Sequence, residues 1–215
     1  MEVSVKDNER YWNEFYKREF VHVPSQFCVF VSTYISPSST VVELGCGNGR
    51  DSHFFSSVNF SVIGVDLSES AIEMSIQNSN PNKDVQFLCG DISEASICED
   101  INQVLGSRRE RADICFYSRF VMHSIDEIQQ KAFMLGLHNL MKPGDRVFFE
   151  FRSKEDEKTK KVYGNHYRRY VDTEQFITQL VELVGVEIIY SITGRGMAMY
   201  NDEDPCVSRI IAQKY

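Results

Sequence analysis

Two rhythms of apolar and polar positions divide this chain. From residue 40 onward, apolar runs of five to eight residues alternate with stretches in which apolar side chains return every three or four positions. The first rhythm fits buried strands, the second helices with one buried face. Together they predict strands over 40–44, 60–65, 85–89, 112–117, 146–151, 185–192 and 206–213, and helices over 50–57, 68–79, 94–105, 126–140 and 172–183. Ser68 and Asp126 stand where helix caps belong, and Met141-Lys142-Pro143-Gly144 is a stop signal. This alternation predicts an α/β fold, a Rossmann-like doubly wound sheet of seven strands. No helix separates the last two strands, so they should form an antiparallel C-terminal hairpin.

Upstream the pattern is different. Residues 7–20 place aromatics at 11, 12, 15, 16 and 20, one face of a helix that Asp7 could cap. A second helix starts at Pro24-Ser25 and breaks at Ser36-Pro37-Ser38-Ser39. Residues 1–38 thus read as an N-terminal helical segment attached to a domain over 39–215.

Composition narrows the partners more than the fold. With 215 residues, 42% hydrophobic and 25% charged, the chain suits one large domain. No apolar stretch reaches the length of a membrane span, and the first ten residues contain no leader-like apolar core, so a cytoplasmic protein without a membrane partner is expected. A net charge of −8 disfavours nucleic acid, which needs clustered cations. A small anion remains a possible ligand. The six cysteines form no Cys-x-x-Cys pair, which points to reduced structural thiols and no metal site.

The chemistry concentrates where the predicted strands end. Val41 and Val42 lead through Glu43 into Gly45-Cys46-Gly47-Asn48-Gly49-Arg50. The three glycines allow positive φ and leave backbone bare for a nucleotide-type cofactor, and Cys46 supplies a small side chain between them. Asp66 follows the second strand at the distance where a βαβ unit offers a carboxylate to ribose hydroxyls, and Asp91 follows the third. A nicotinamide dinucleotide would ask for the longer Gly-x-Gly-x-x-Gly loop.

In this shorter form, with an acid before it, the stretch resembles motif I of class I S-adenosylmethionine (SAM) methyltransferases, and the match continues through Asp66 and Asp91. The resemblance implies SAM as cofactor. Gly45, Gly47 and Gly49 would face its methionine part, Glu43 its ammonium and Arg50 its carboxylate. Asp66 would take the ribose and Asp91 the adenine amino group, with Leu67 and Ile92 as apolar plates. The N-terminal helices would form a lid, bringing Tyr11 and Trp12 to the cofactor and Tyr16 to the substrate. Tyr117, at the predicted end of the fourth strand, joins the cofactor set.

Substrate chemistry is expected in two segments. His123, just beyond the fourth strand, is placed to take a proton from an attacking hydroxyl or amine. Asn165-His166-Tyr167-Arg168-Arg169-Tyr170 packs three potential cations into four residues of an acidic protein. His166 and Arg168 share one side of an extended segment, and with Arg119 or Arg152 they could grip a carboxylate or phosphate; Arg169 is a further candidate.

The segments Phe116 to Ile125, Phe149-Glu150-Phe151-Arg152, His166 to Tyr170, Tyr200 to Pro205 and Val207 to Ala212 resemble small stand-alone methyltransferases of bacterial surface-polysaccharide and specialised-metabolite loci. That likeness implies a small, anionic or phosphorus-containing acceptor. Met197-Ala198-Met199-Tyr200 departs from the Leu/Phe-Ala-Pro-Tyr loop expected there. Two other functions are compatible with the same glycine loop: a nicotinamide-dependent oxidoreductase, and a methyltransferase-like protein that binds without turnover. Nothing in the pattern specifies an oligomeric state.

Overall fold

The computed structural model describes residues 5–16, 23–110, 112–159 and 167–215. Seven strands form one sheet: β1 (Thr40–Leu44), β2 (Ser61–Asp66), β3 (Val85–Cys89), β4 (Ile114–Arg119), β5 (Arg146–Arg152), β6 (Val186–Gly194) and β7 (Val207–Lys214). Their order is β3-β2-β1-β4-β5-β7-β6. The first five strands are parallel, and β7 runs antiparallel to both β5 and β6. The Rossmann-like, doubly wound α/β sheet with its terminal hairpin is therefore present. Strand order reverses between β1 and β4, and a cleft for a ligand opens at such a switch point.

Seven α-helices surround the sheet among the described residues: α1 (Val5–Tyr16), α2 (Gln26–Ser32), α3 (Arg50–Ser57), α4 (Glu69–Gln77), α5 (Ala95–Leu105), α6 (Glu127–Leu140) and α7 (Thr173–Gln179). Alternate strand residues feed two cores. Val42, Leu44, Ile63 and Phe116 pack with α5 and α6, while Val41, Val62, Cys115 and Tyr117 pack with Phe27, Val31 and Phe55 of α2 and α3. Asp126 and Gln129 close a full capping box on α6, and Ser68 caps α4.

Several boundaries move. The first helix already includes Val5, so Asp7 lies within it instead of capping it, and residues 17–20 of the expected helix fall outside the described residues. Ser25 is the cap of α2, which buries Phe27, Cys28 and Val31 in the core. The fourth strand runs to Arg119, two residues past its expected end, so Tyr117 is an interior strand residue. The expected 172–183 helix changes to a π-helical turn over Leu180–Val184 before Gly185 ends it in left-handed geometry.

Candidate active site

A cavity of about 650 Å³ opens beyond the carboxyl ends of β1, β2 and β4, within the ordinary range for a small-molecule site. The glycine turn shapes its floor. Gly45 has φ +85°, and a Cβ there would stand 2.1 Å from Val121 Cγ2, so both backbone strain and close packing demand glycine. Gly45 and Cys46 line the cavity. Gly47 instead donates its N–H to Asp66 Oδ2 at 2.7 Å, and its α-carbon lies beneath the Tyr16 hydroxyl. Gly49 is not part of the cavity lining. It starts α3 in left-handed geometry, where a Cβ would meet Ser75 and His53.

Three carboxylates meet in the cavity. Glu43, 3% exposed, accepts from Ser52 Oγ at 2.5 Å. Asp66 accepts from the N–H groups of Gly47 and Ser68, which occupies half of a carboxylate's roughly four acceptor sites. Asp51 accepts from the Ser25 N–H at 2.8 Å, the Ser25 hydroxyl at 2.6 Å and the Tyr117 hydroxyl at 2.7 Å, with Arg50 Nε 3.2 Å away. Burial pushes Glu43 well above the usual carboxylate range, with the Asp51 charge adding to it, and burial also raises Asp66. Asp51 goes the other way: burial opposes its ionisation, but Arg50, Arg119 and the Ser25 bonds hold it low. The result is a cavity in which Asp51 is held toward its ionised form, while burial disfavours ionisation of Glu43 and Asp66, a penalty that a bound cation would offset.

This arrangement makes cation binding pH-dependent. For Glu43 and Asp66 the folded pKa exceeds the unfolded one, so the folded state holds more protons, and stability falls as pH rises above about 4.3 toward the folded values. A ligand ammonium or sulfonium favours the ionised acids and opposes that loss. The melting-temperature increase given by a cationic cofactor should therefore grow as pH rises above the ordinary carboxylate range. Asp51, already ionised in that window, should not contribute to the trend. An increase that shrinks over the same window would remove the two acids from the cation's surroundings.

The remaining predicted residues divide between wall and core. Tyr11, Trp12, Tyr16, Arg50, Leu67, Asp91 and Ile92 all line the cavity, as do Arg119, His123, Arg152 and Arg168. Asp91 also accepts from the N–H and hydroxyl of Ser93, so it shapes its own turn. Tyr117 is a correction: fully buried, it turns its hydroxyl to Asp51 on the α2–α3 side and does not line the cavity. Arg169 is another. Its guanidinium donates to the Met122 carbonyl and to Gln130 and lies near Glu127, outside the cavity wall. His166 lies outside the described residues.

Arg152 reaches the wall but is committed to two acids. It donates to Asp156 Oδ2 at 2.7 Å and pairs with Glu203, all three being buried. An anionic ligand would have to displace a carboxylate, so Arg152 holds the loop carrying Glu203 and is not an open anion site. Arg119 shares Glu150 with Arg209, at 2.8 and 2.7 Å. Asp51 also lies within electrostatic reach of Arg119, and the Arg119 guanidinium stacks 4.1 Å from the Phe120 ring centroid. Phe120 itself holds a left-handed backbone, φ +61°, and flanks His123 with ring centroids 5.1 Å apart. His123 is 4% exposed and receives a long 3.4 Å contact at Nδ1 from the Arg152 N–H.

Asp51, Ser25, Phe120 and Glu203 were not among the candidates read from the sequence. Asp51 carried one local clue, an acid in the first turn of the helix after the glycine loop. Among the described residues no cluster of His, Cys, Asp or Glu could hold a metal ion, and no helix is long and apolar enough to cross a membrane.

Comparison with known proteins places this cavity in context. Residues 41–144, which include the glycine loop and both strand-end acids, match the family model described as a methyltransferase domain. No curated protein matches the chain. Among solved structures, a SAM-dependent methyltransferase from Anabaena variabilis is similar with TM-score 0.75 and 19% identity, covering 100% of this chain and 96% of that one. A TehB-like SAM-dependent methyltransferase from Corynebacterium glutamicum gives 0.65 and 16%, covering 99% and 100%. The glycopeptide N-methyltransferase MtfA complexed with SAM gives 0.64 and 13%, covering 90% and 96%. At these identities the structural likenesses speak for the fold alone.

Proposed function

We infer that this chain, a class I SAM-dependent methyltransferase enzyme with SAM as its cofactor, moves the methyl group to an O, N or S atom of a small metabolite bearing a carboxylate or phosphate. The observation that carries this reading is a single cavity joining Glu43, Gly45, Asp66 and Asp91 to His123 and Arg168. In it, the cofactor's ammonium would lie at Glu43 and Asp51, its ribose at Asp66 and its adenine by Asp91, Leu67 and Ile92. Asp66 keeps acceptor capacity for the ribose after its two backbone bonds.

The acceptor atom would approach from the side of His123. Its lone pair forms the new bond to the methyl carbon while the carbon–sulfur pair returns to sulfur, and the acceptor proton passes to His123. Such a displacement needs alignment and a dry site more than covalent help. The aromatic side chains of Tyr11, Trp12, Phe15 and Tyr16 line the cavity and serve that exclusion of water.

The anionic acceptor group is assigned to Arg168, on the cavity wall, because Arg152 is balanced by two acids and Arg169 faces elsewhere. Incubation with methyl-labelled SAM and a panel of small acids, phosphoesters and amines tests the substrate class directly. For the best acidic acceptor, Arg168→Ala should raise KM at least tenfold, about 1.4 kcal/mol, with affinity for S-adenosylhomocysteine unchanged. Lysine should restore only part of a two-pronged contact. An unaltered KM, or a neutral molecule as best acceptor, would overturn the anionic class.

A further inference from the structure

The aromatic residues of α1 reach the cavity only if the helix is held in place, and Asn13, one turn before Tyr16, ties the helix to the start of α4. Its Oδ1 accepts from the Ser68 hydroxyl at 2.6 Å and from the Ser70 N–H at 3.3 Å. Ser70 lies in the first turn of α4, where N–H groups have no partner within the helix. Asn13 thus supplies, from α1, a second cap beside the one that Ser68 gives to Ala71. Ser68 also donates its own N–H to Asp66 Oδ1 at 2.9 Å. One serine therefore touches the cavity carboxylate, caps α4 and holds α1.

One turn further along α1, beside Asn13 on the helix surface, stands the residue that this attachment places. Tyr16 stands with its hydroxyl over Gly47, so close that a Cβ there would lie 2.3 Å from the oxygen. Its surroundings include Asp66, Cys46, Arg50 and Glu43, the groups assigned to the cofactor. Trp12 and Tyr11 sit on the same wall.

We propose that Asn13 is a positioning residue: its two bonds to the start of α4 form a clasp that seats α1 over the cofactor, making cofactor affinity depend on a contact outside the cavity. The proposal rests on the reading of Asp66 as a cofactor ligand. It predicts that closure and cofactor binding are coupled through the Asp66–Ser68–Asn13 chain. A carboxylate at position 13 keeps both acceptor bonds and adds a favourable charge at a helix N-terminus.

The test uses the full chain and S-adenosylhomocysteine as probe, with affinity from titration calorimetry and α1 position from the emission of Trp12, the sole tryptophan. Asn13→Ala should weaken binding about tenfold or more, the size expected for two lost hydrogen bonds, and should flatten the Trp12 response to ligand. Asn13→Asp should restore both. The melting temperature of the ligand-free variants checks that each is folded. Wild-type affinity in Asn13→Ala, with Asp66→Ala weakened, would overturn the clasp and leave the cofactor reading intact. Wild-type affinity in both would instead overturn the cofactor reading. Loss in Asn13→Ala without restoration by aspartate would also overturn the proposal, because the acceptor bonds would not be its cause.

Discussion

Glu150→Ala is expected to lower folding stability by about 3–5 kcal/mol, the range for removing one member of a buried ionic cluster. Glu150 is 1% exposed and sits in β5 between β4 and β7. Its two oxygens take Arg119 and Arg209 separately. Without it, two buried guanidiniums lose the acid they share, while Arg209 keeps its bond to the Met197 carbonyl and its stacking on Phe27 and Phe30. Glutamine retains the shape and an acceptor oxygen, so Glu150→Gln should fall between wild type and alanine. Urea denaturation measures both: the midpoint should move while the slope m stays constant. A loss below about 1 kcal/mol for alanine would mean that water reaches the two arginines and screens them.

His123→Ala is expected to reduce kcat by about 10² to 10⁴, the usual contribution of a positioned acid–base group, with little change in S-adenosylhomocysteine affinity. The backbone around it is secured independently of the ring. Its carbonyl accepts from the Arg169 N–H at 2.8 Å, and Ser124 N–H closes the turn onto Val121. The Arg152 N–H lies 3.4 Å from Nδ1, a contact too long to fix the ring's tautomer. A ring that only donates a hydrogen bond to the acceptor could be imitated by glutamine, whereas a base could not. The base role therefore requires that His123→Gln be as slow as alanine and that the wild-type rate depend on pH. A glutamine variant at wild-type rate from pH 6 to 9 would make His123 a donor that orients the acceptor.

Local signals were readable; distant pairings were not. The strands, caps and glycine turn follow from spacing within a few residues, so β1, β3 and α6 lie within a residue of their expected bounds. Asp66 and Asp91 line the cavity, and a strand end marks each of them in the sequence. Tyr117 was misplaced for a reason of phase and length: the strand continues to Arg119, and position 117 looks toward Asp51, 66 residues away in sequence. Arg152 looked like an available cation because Glu203 is 51 positions downstream, and no periodicity announces that they meet. Asn13 and Ser68 are separated by 55 residues and escaped notice likewise. A charged side chain's function depends on what already neutralises it, and that is set by the tertiary fold.

The strand order carries a last consequence, for how the molecule comes into being. β7 lies between β5 and β6, both of which precede it in the chain, and it supplies hydrogen bonds to each. During synthesis β5 must wait with one edge open and β6 with both, and open edges invite pairing with the wrong chain. Contacts such as Arg146 with Gln213 span most of the distance between middle and end, the kind of long-range closure that slows folding. Arg209 arrives on that same late strand. A nascent chain stalled before β7 thus leaves β6 detached from the five-stranded parallel sheet and lacks the second cation that Glu150 binds.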